Sequence, residues 1–537
     1  MANQIKQPCD EAVIRSREAV SPCAPKTGRW VLAATILGTS MAFIDETAVT
    51  VALPTIQGAL GATAVHTQWI VEAYTLILAA LTLVGGSLGD RLGRRRVFAL
   101  GVALFAVASM WCGLAPSPEQ LVASRAVQGV GGALLVPNSL AIIGASFEEK
   151  RRGRAIGTWA GLTGMTMVLG PVFGGLLVEN VSWRGVFFIN GPLALVVLAI
   201  TLSRVPESRD EGAGRLDLPG AVLVTAGLGG VIFGLIESSS RGPDDPLVVG
   251  SLAIGVAALA AFVVVEGRSR EPMMPLWLFR SRNFAGANAF TLLLYFGLAG
   301  ALFFLPFNLI QVQGYSATAA GAAVVPAIAL MALLSRYTGG LTDRYGARLP
   351  LVLGPAIAAA GFVLLARPGI GGSYWTTFFP AVVVLGVGLS ILVPAITTVA
   401  LNAVEDEHSG LASGVNNAFS QTASLLAVAV LGVVVVAVFG GSLDARLAVL
   451  DLPPAAVQQL EAEKIQLGAA EAPDGLDAAS VVAVERAIDE AFVSGYRLVM
   501  LVAAATALAS AFSAALLIEG KKPEEKPGED GADALAA

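Results

Sequence analysis

The chain has 537 residues, of which 55% are hydrophobic and only 14% are charged. Soluble globular domains carry roughly 25% charged residues, so this composition excludes a protein built from several soluble domains. The net charge of −6 excludes little, because the distribution of charge matters more in such a chain. With a mean hydropathy of +0.72, the sequence indicates an all-α protein that crosses a membrane many times.

Apolar segments predict fourteen transmembrane helices, since a bilayer core needs about 20 apolar residues per helix. Residues 1–29 are polar, lack the apolar core of a signal peptide, and are predicted to form a cytoplasmic tail. The predicted spans are 30–57, 68–88, 97–115, 121–144, 155–178, 186–203, 217–237, 247–265, 285–310, 318–338, 349–366, 376–402, 410–439 and 493–518.

Basic residues give the predicted orientation. Most of the 34 Lys and Arg residues fall in loops on the side of the N-terminus, and such loops normally face the cytoplasm. We therefore expect an even number of spans, both termini in the cytoplasm, and a place in the cell (inner) membrane. A long outer loop at about 440–492 has apolar spacing that predicts one or two surface helices capping the outer side.

Two short loops repeat each other along the chain. Residues 86–95 and 339–348 share glycine, leucine, aspartate and arginine at matching offsets, and Leu-Val-Pro recurs at 135–137 and 392–394. This repeat predicts two six-helix pseudo-symmetric bundles with an inserted helix pair between them. The predicted domains are 30–203 for the first bundle, 204–283 for the linker with two extra helices, 284–518 for the second bundle and 519–537 for a cytoplasmic tail.

Several motifs of the first half occur in a fixed order. Residues 45–54 read DETAVTVALP, residues 86–96 read GSLGDRLGRRR and residues 121–129 read LVASRAVQG. Helix five contains Gly157, Gly170, Pro171, Gly174 and Gly175. Together these motifs resemble those of the major facilitator superfamily, and within it the fourteen-helix drug:proton antiporters. Thr50 and Thr166 depart from the pattern, because that family usually has asparagine at the first position and often glycine at the second.

The resemblance implies a conformational latch on the cytoplasmic side. Its residues are Gly86, Asp90, Arg91, Gly93 and Arg94, with Asp343 and Arg344 as counterparts in the second half. Positive-inside topology alone is the alternative interpretation, but it explains the arginines and not the aspartate between glycines. In helix five, the resemblance implies a bend at Gly-Pro and close packing at the glycines. The segment 183–192 (WRGVFFINGP) also resembles this branch and is interpreted as structural.

Three charged residues inside predicted helices are candidates for proton coupling: Asp45, Glu46 and Arg125. A charge near the bilayer centre costs about 2.5–3.5 kcal/mol on insertion scales, so it normally faces a cavity or a partner. The resemblance ties the arginine of helix four to proton transfer. A purely structural Arg125 and a packed, protonated Glu46 are the alternatives, as is a division of labour in which Glu46 attracts a cationic substrate.

Polar and aromatic side chains are candidates for a substrate cavity that holds a large amphipathic ligand. By the repeat offsets, the second half has leucine and valine near the positions equivalent to Asp45 and Arg125, and offers amides and aromatics instead. The candidates are Glu46, Glu72, Tyr74, Trp159, Asn288, Tyr295, Phe296, Asn308, Asn416, Asn417 and Gln421. Helix packing is the alternative for each of them, and Glu72 is expected either in the cavity mouth or in water.

The predicted function is export of lipophilic, often cationic drugs or toxic compounds by alternating access, driven by inward proton flow. A dedicated exporter of one endogenous metabolite or lipid is the alternative, and a non-transporting membrane receptor is the alternative of another class. We expect that the protein is neither an enzyme nor a nucleic-acid-binding protein. We also expect it to be a monomer. No P-loop occurs, so ATP is not the expected energy source and no cofactor is predicted. The two histidines, His66 and His408, fall in loops on opposite sides, so no metal site is expected.

Overall fold

The computed structural model describes residues 25–210, 217–269, 272–402 and 409–518. Within these ranges the regular structure is helical, and fourteen helices are long and apolar enough to span a membrane. The helices of the first half are α1 (Pro25–Leu60), α2 (Ala64–Leu92), α3 (Arg94–Leu114), α4 (Pro118–Ser146), α5 (Glu149–Asn180) and α6, which has two pieces (Gly185–Phe188 and Asn190–Arg204).

The inserted pair and the second half follow the same up-and-down course. Their helices are α7 (Leu218–Arg241), α8 (Pro246–Arg268), α9 (Arg282–Phe307, continued by a π-turn Asn308–Val312), α10 (Ala317–Ala323 and Val325–Tyr345), α11 (Arg348–Leu365), α12 (Phe379–Asn402), α13 (Ser409–Leu447), the surface helix α14 (Pro454–Glu463) and α15 (Ala478–Leu517). Fourteen spans and an all-helical fold confirm the predicted fold class.

Local sequence signals explain several helix ends. Ser117 caps α4 with its side chain, and Pro118 occupies the first turn, where its missing N–H costs nothing. Asp217 and Asp245 cap the two inserted helices in the same way. Gly93 has a φ of 109°, a conformation that side chains rarely adopt, and it separates α2 from α3.

The predicted long outer loop is the main correction. It runs from residue 448 to 477 instead of about 440–492, because α13 continues to Leu447 and α15 already begins at Ala478. The second predicted surface helix is therefore the first part of α15. The apolar face of this part is buried within the second bundle, where Val484 and Ile488 are 0% and 2% exposed. Burial of that face stabilises the helix well beyond the apolar span.

Each half packs as a bundle. In the first, α2 and α3 pack on α4, and α1 packs on α5 and α6. In the second, α11 packs on α12 and α15, and α9 packs on α13 and α15. The inserted helix α8 lies at the periphery, since only 17% of its apolar window is buried, against 61% for α1. Its partner α7 contacts α2 and α13 and so lies against both bundles.

The helix junctions lie at two opposite ends of the molecule. We define the basic end as the end with the α2–α3, α4–α5 and α10–α11 junctions, and the far end as the opposite one, which carries residues 448–477. At the far end the bundles meet through α5 and the first piece of α10. A Cβ atom at Gly175 would collide with the backbone of Ala317, and one at Gly321 with the backbone of Pro171.

Residues 464–469 form a strap across the far end. The Gln57 side chain, at the end of α1, donates a hydrogen bond of 2.9 Å to the carbonyl of Gln466. The Gln311 side chain, at the end of α9, donates one of 3.0 Å to Gln57 Oε1. The strap thus holds the ends of the first helices of both bundles together.

Candidate functional site

Asp45 and Arg125 form an ion pair in the interior of the first bundle. Their side chains are 0% and 1% exposed, and Arg125 Nη1 donates to Asp45 Oδ2. The same nitrogen donates to Gln128 Oε1 at 2.8 Å, and Arg125 Nε donates to the backbone carbonyl of Ile70 at 3.0 Å. The guanidinium also lies over the Tyr74 ring, 4.3 Å from its centroid. Arg125 therefore keeps neutral partners in addition to its carboxylate.

The second oxygen of Asp45 is held by two amides. Asp45 Oδ1 accepts hydrogen bonds from Gln128 Nε2 at 2.8 Å and from Asn190 Nδ2 at 3.0 Å. Asn190 Nδ2 also donates to Ser109 Oγ at 2.9 Å, and Ser109 Oγ donates to the carbonyl of Phe187 at 2.9 Å. We call this set of side chains the ionic network: Asp45, Ser109, Arg125, Gln128 and Asn190.

Helix geometry explains why the ionic network forms. Arg125 and Gln128 are three residues apart and so lie on one face of α4. Asp45 lies in the middle of α1, and Asn190 is the first residue of the second piece of α6. Burying a charge without partners is very costly in a bilayer or a protein core. The network meets this cost by giving each carboxylate oxygen at least one donor.

Glu46 and Glu72 are placed differently from Asp45. Glu46 is half-buried beside Asp45, one residue further around α1, as a separation of roughly 100° requires. Glu72 in α2 is 1% exposed, and its Oε2 has no hydrogen-bond partner in the part of the chain that the structure describes. The alternative of a Glu72 in water is therefore wrong, because neighbouring helices cover this side chain. Tyr74 is buried under Arg125.

The predicted latch residues gather at the basic end. Asp90 Oδ1 accepts a hydrogen bond from Arg94 Nε at 2.7 Å, and the Asp90 carbonyl accepts one from the backbone N–H of Asp210 at 2.8 Å. Gly93 turns the chain between them, and Gly86 approaches Pro137 of α4. Arg91 also takes part in interactions there. The side chains of Asp343 and Arg344 lie outside the described residues.

Glu207 belongs to this end as well, although the sequence did not indicate it. Its carboxylate accepts the backbone N–H of Arg95 at 2.9 Å and lies 3.7 and 3.6 Å from the guanidinium nitrogens of Arg95 and Arg96. The segment after α6 is thus tied to the first turn of α3. Arginine-rich loops pair with acids whose position in the sequence gives no local signal, which is why the sequence did not reveal this contact.

The helix-five motif divides between two contacts. A Cβ atom at Gly170 or Gly174 would collide with Thr47 or Ala48 of α1, so these glycines serve close packing inside the first bundle. Gly175 and Pro171 instead meet α10 of the second bundle. At Gly157, by contrast, an added Cβ atom would meet open space among the described residues.

The second bundle joins two of the predicted cavity positions, Asn288 and Asn416, by hydrogen bonds. The Asn416 side-chain amide of α13 donates to Asn288 Oδ1 at 3.3 Å and to Thr291 Oγ1 at 2.9 Å, both on α9. Asn288 in turn donates to the carbonyl of Phe284 at 2.9 Å. We call Asn288, Thr291 and Asn416 the neutral network.

The remaining candidates lie around these two networks. Tyr295 and Phe296 pack against the apolar core of the second bundle, and Trp159 packs against that of the first. Asn308 is buried, Gln421 is half-buried and Asn417 is exposed. Their part in a substrate cavity stays a prediction.

Sequence reasoning missed three members of the ionic network. Gln128 stands in the quoted helix-four motif, three residues after Arg125, and this spacing was an available signal. Asn190 lies in the segment interpreted as structural, where an amide within an apolar run was the signal. Ser109 has no distinguishing context, because serine is common in membrane helices.

Comparison with known proteins now defines the class. The family model of the major facilitator superfamily matches residues 35–428. The chain therefore belongs to the major facilitator superfamily and is a multi-pass membrane transporter, as predicted, and not an enzyme.

Curated relatives carry names of export and resistance proteins. The tetracenomycin C resistance and export protein of Streptomyces glaucescens is 34% identical over 95% of this chain and 96% of its own length. The multidrug resistance protein Stp of Mycobacterium tuberculosis is 36% identical over 79% of this chain and 78% of its own. The methylenomycin A resistance protein of Bacillus subtilis is 32% identical over 79% of this chain and 91% of its own.

Solved structures agree on the fold. A bacterial homologue of the human lysosomal transporter Spinster, in an inward-facing and unoccupied conformation, has a TM-score of 0.61 over 91% of this chain and 98% of its own, with 20% identity. A POT family transporter in complex with 5-aminolevulinic acid has a TM-score of 0.59 over 76% of this chain and 90% of its own, with 15% identity. At such low identity, these neighbours show the fold alone.

Proposed function

We propose that this transporter exports antibiotics or other lipophilic, often cationic compounds in exchange for protons. Three relatives are named as resistance proteins, and one of them is also named as an export protein. The observation that carries the coupling proposal is the buried pair of Asp45 and Arg125. A transporter driven by protons requires a titratable group inside the membrane domain, and a carboxylate held by an arginine meets that requirement.

Proton uptake by Asp45 would change the balance of the ionic network. Once Asp45 is neutral, its attraction to Arg125 weakens, while the guanidinium keeps Gln128 Oε1, the Ile70 carbonyl and the Tyr74 ring. These neutral partners make the arginine tolerable in both protonation states. The two states of Asp45 therefore differ in how tightly α1 is held to α4, and such a difference can bias two conformations of the bundles.

Glu46 supplies the place where substrate and proton would compete. It lies beside Asp45 on α1 and is partly exposed, unlike its neighbour. A cationic substrate near Glu46 would disfavour a proton on the same pair of carboxyls through charge repulsion. Binding of drug and binding of proton then exclude each other, which is the requirement for exchange.

The proposal includes the orientation and the energy source. We place the basic end and both termini in the cytoplasm of a cell membrane, following the positive-inside rule. We propose further that the proton gradient and not ATP drives the cycle, that no cofactor takes part, and that the monomer is the working unit.

The test uses proteoliposomes with an imposed pH gradient and ethidium as the fluorescent cation. We expect gradient-driven ethidium movement in the native chain and none in Asp45→Asn. Asp474→Asn, an exposed aspartate of the far-end loop, is the matched control and should transport normally. Full gradient-driven transport by Asp45→Asn would refute the coupling role of this residue.

A dedicated exporter of one compound is the second candidate. The relative that matches nearly the whole chain is named for a single compound, tetracenomycin C. This candidate uses the same coupling site and predicts that ethidium is not moved. In that case tetracenomycin C, the compound in that relative's name, would produce gradient-dependent proton release where ethidium does not. Membership in a transporter family argues against the receptor alternative.

A further inference from the structure

The two amides that hold Asp45 differ in their freedom to turn. Gln128 is fixed at both ends, because its Oε1 accepts from Arg125 at 2.8 Å while its Nε2 donates to Asp45 at 2.8 Å. Asn190 uses only its nitrogen, which donates to both Asp45 and Ser109. The Oδ1 atom of Asn190 is buried and has no hydrogen-bond partner among the described residues. The oxygen of Gln128 is therefore held by a charged donor, and the oxygen of Asn190 is not.

A protonated Asp45 needs an acceptor that the ionised form does not need. The carboxylate accepts hydrogen bonds, whereas the carboxylic acid must also donate one. Gln128 can offer its oxygen only by turning it away from Arg125, at the cost of a charge-assisted bond. Asn190 can turn its amide by half a rotation and lose no bond at Oδ1, while its Nδ2 gives up the bonds to Asp45 and Ser109 and none to a cation. The acid O–H of Asp45 and the hydroxyl of Ser109 then both donate to Asn190 Oδ1.

We propose that Asn190 is a positioning residue for proton coupling: its amide turns over when Asp45 takes up a proton, and it accepts the acid hydrogen. The step balances, because one proton adds to Asp45 and no other covalent bond changes. Donation from Asn190 Nδ2 to Asp45 and Ser109 is replaced by donation from those two groups to Asn190 Oδ1. This inference rests on the proposed coupling through Asp45 and deepens it.

The turn also links protonation to the backbone of α6. Before it, the Ser109 hydroxyl of α3 donates to the carbonyl of Phe187, in the first piece of α6. After it, that hydroxyl is redirected to Asn190, the first residue of the second piece. The contact between α3 and α6 thus moves across the break in α6 when Asp45 is loaded. A break in a helix is a suitable place for a change of angle.

Few other titratable groups face Asn190 and Asp45 from the elements packed against them. Residues 155–178 of α5 and 190–203 of α6 contain no Asp, Glu, His, Cys, Tyr, Lys or Arg. The remaining helices near α1, α3 and α6, together with α1 and α3 themselves, do carry titratable or charged side chains in the membrane interior. These are Asp45, Glu46, Glu72, Tyr74, Cys112, Arg125 and Tyr295. Lys464 lies in the strap. A pH response of Asn190 variants is therefore attributed to Asp45 only when Asp45→Asn removes it.

Two variants at this position are expected to change the pH dependence by different amounts. Asn190→Leu has a similar size and takes one hydrogen bond from each form of Asp45: the ionised form loses donation from Nδ2, and the acid form loses the acceptor Oδ1. These two losses oppose each other, so the pH midpoint of export should rise by clearly less than about one unit, which is the shift expected when the ionised form alone loses a buried hydrogen bond. Asn190→Asp places a second carboxyl beside Asp45, so that the two share a proton, and the midpoint should rise. An amide that only donates to the ionised form, and does not turn, would instead give a rise of about one unit or more in Asn190→Leu as well.

A second measurement does not need active protein. In purified protein, infrared difference spectra across a pH titration report the C=O stretch of a protonated carboxyl. We expect this band in the native chain, its loss in Asp45→Asn, and a shift to higher frequency in Asn190→Leu, because a hydrogen bond is missing. Asn138→Leu is the control, since Asn138 is equally buried in the same bundle and bonds to the carbonyls of Gly85 and Leu134.

The outcomes separate the two proposals. The inference is supported by a rise of less than about one unit and a band shifted to higher frequency in Asn190→Leu, with a larger rise in Asn190→Asp. The midpoint and the band should be unmoved in Asn138→Leu. A midpoint raised by about one unit or more with an unchanged band in Asn190→Leu, while Asp45→Asn loses both the band and gradient-driven transport, refutes the amide turn and leaves proton coupling intact. Gradient-driven transport that survives in Asp45→Asn overturns the proposed function itself.

Discussion

The two bundles bury polar side chains in different ways. In the first, the ionic network joins α1, α3, α4 and α6 around a carboxylate and a guanidinium. In the second, the neutral network joins α9 and α13 through amides and a hydroxyl. The same repeated scaffold therefore holds a charged centre in one half and an uncharged one in the other. Only the first centre can change its net charge with pH, and proton coupling is confined to that half in our proposal.

Removal of the cation should break the first centre most severely. Arg125→Leu leaves Asp45 buried without its ion-pair partner, and loss of one partner of a buried pair costs about 3–5 kcal/mol. We expect a large drop in thermal stability and loss of export. The double variant Asp45→Asn/Arg125→Gln removes both charges and should recover stability but not proton coupling. If Arg125→Leu were as stable as the native protein, the ion pair between Asp45 and Arg125 would not stabilise the fold as expected.

Disturbing the contact between the two bundles at the far end is expected to have the next largest effect on the protein. Gly175→Ala places a methyl group against the Ala317 backbone, and such overpacking costs about 1–3 kcal/mol in the state with the far end closed. The far end should open more often, so that the thiol introduced by an added Thr318→Cys substitution reacts faster with a membrane-impermeant maleimide. Gly164→Ala on the same helix is the matched control, because it has open space. Equal labelling in both variants would show that this contact does not hold the far end shut.

The repeated loops allow a direct comparison of the halves at the basic end. Asp90→Asn weakens a partly exposed pair with Arg94, and such pairs contribute about 0–1 kcal/mol to stability. We expect a several-fold lower maximal transport rate with little change in apparent affinity and in melting temperature. Asp343→Asn tests whether the second loop contributes equally. A loss of affinity alone, at unchanged maximal rate, would argue against a latch.

The neutral network should be the least sensitive. Asn416→Leu removes uncharged hydrogen bonds to Asn288 and Thr291, each with a net contribution of about 0.5–1.5 kcal/mol. We expect a small fall in melting temperature and an unchanged pH midpoint of export. A shifted midpoint would mean that the second bundle takes part in proton coupling.

Some positions were predictable because their cause is local. Asp45 and Arg125 stood out, since a charge inside an apolar run demands a partner. Gly93 was marked by the motif around it and does adopt a positive φ. Glu72 was less well predicted, because exposure of an acid near a helix end depends on what covers it. Here neighbouring helices bury it.

By itself, the sequence determined that the chain crosses a membrane fourteen times in two related halves. Hydrocarbon admits only apolar helices of sufficient length, and this constraint can be read along the chain. The tertiary structure alone decided that Asn190 reaches Asp45 across 145 positions, that Gly174 packs inside a bundle while Gly175 packs between bundles, and that α15 begins at Ala478. These features depend on which helix faces approach each other, and no local pattern of residues specifies that.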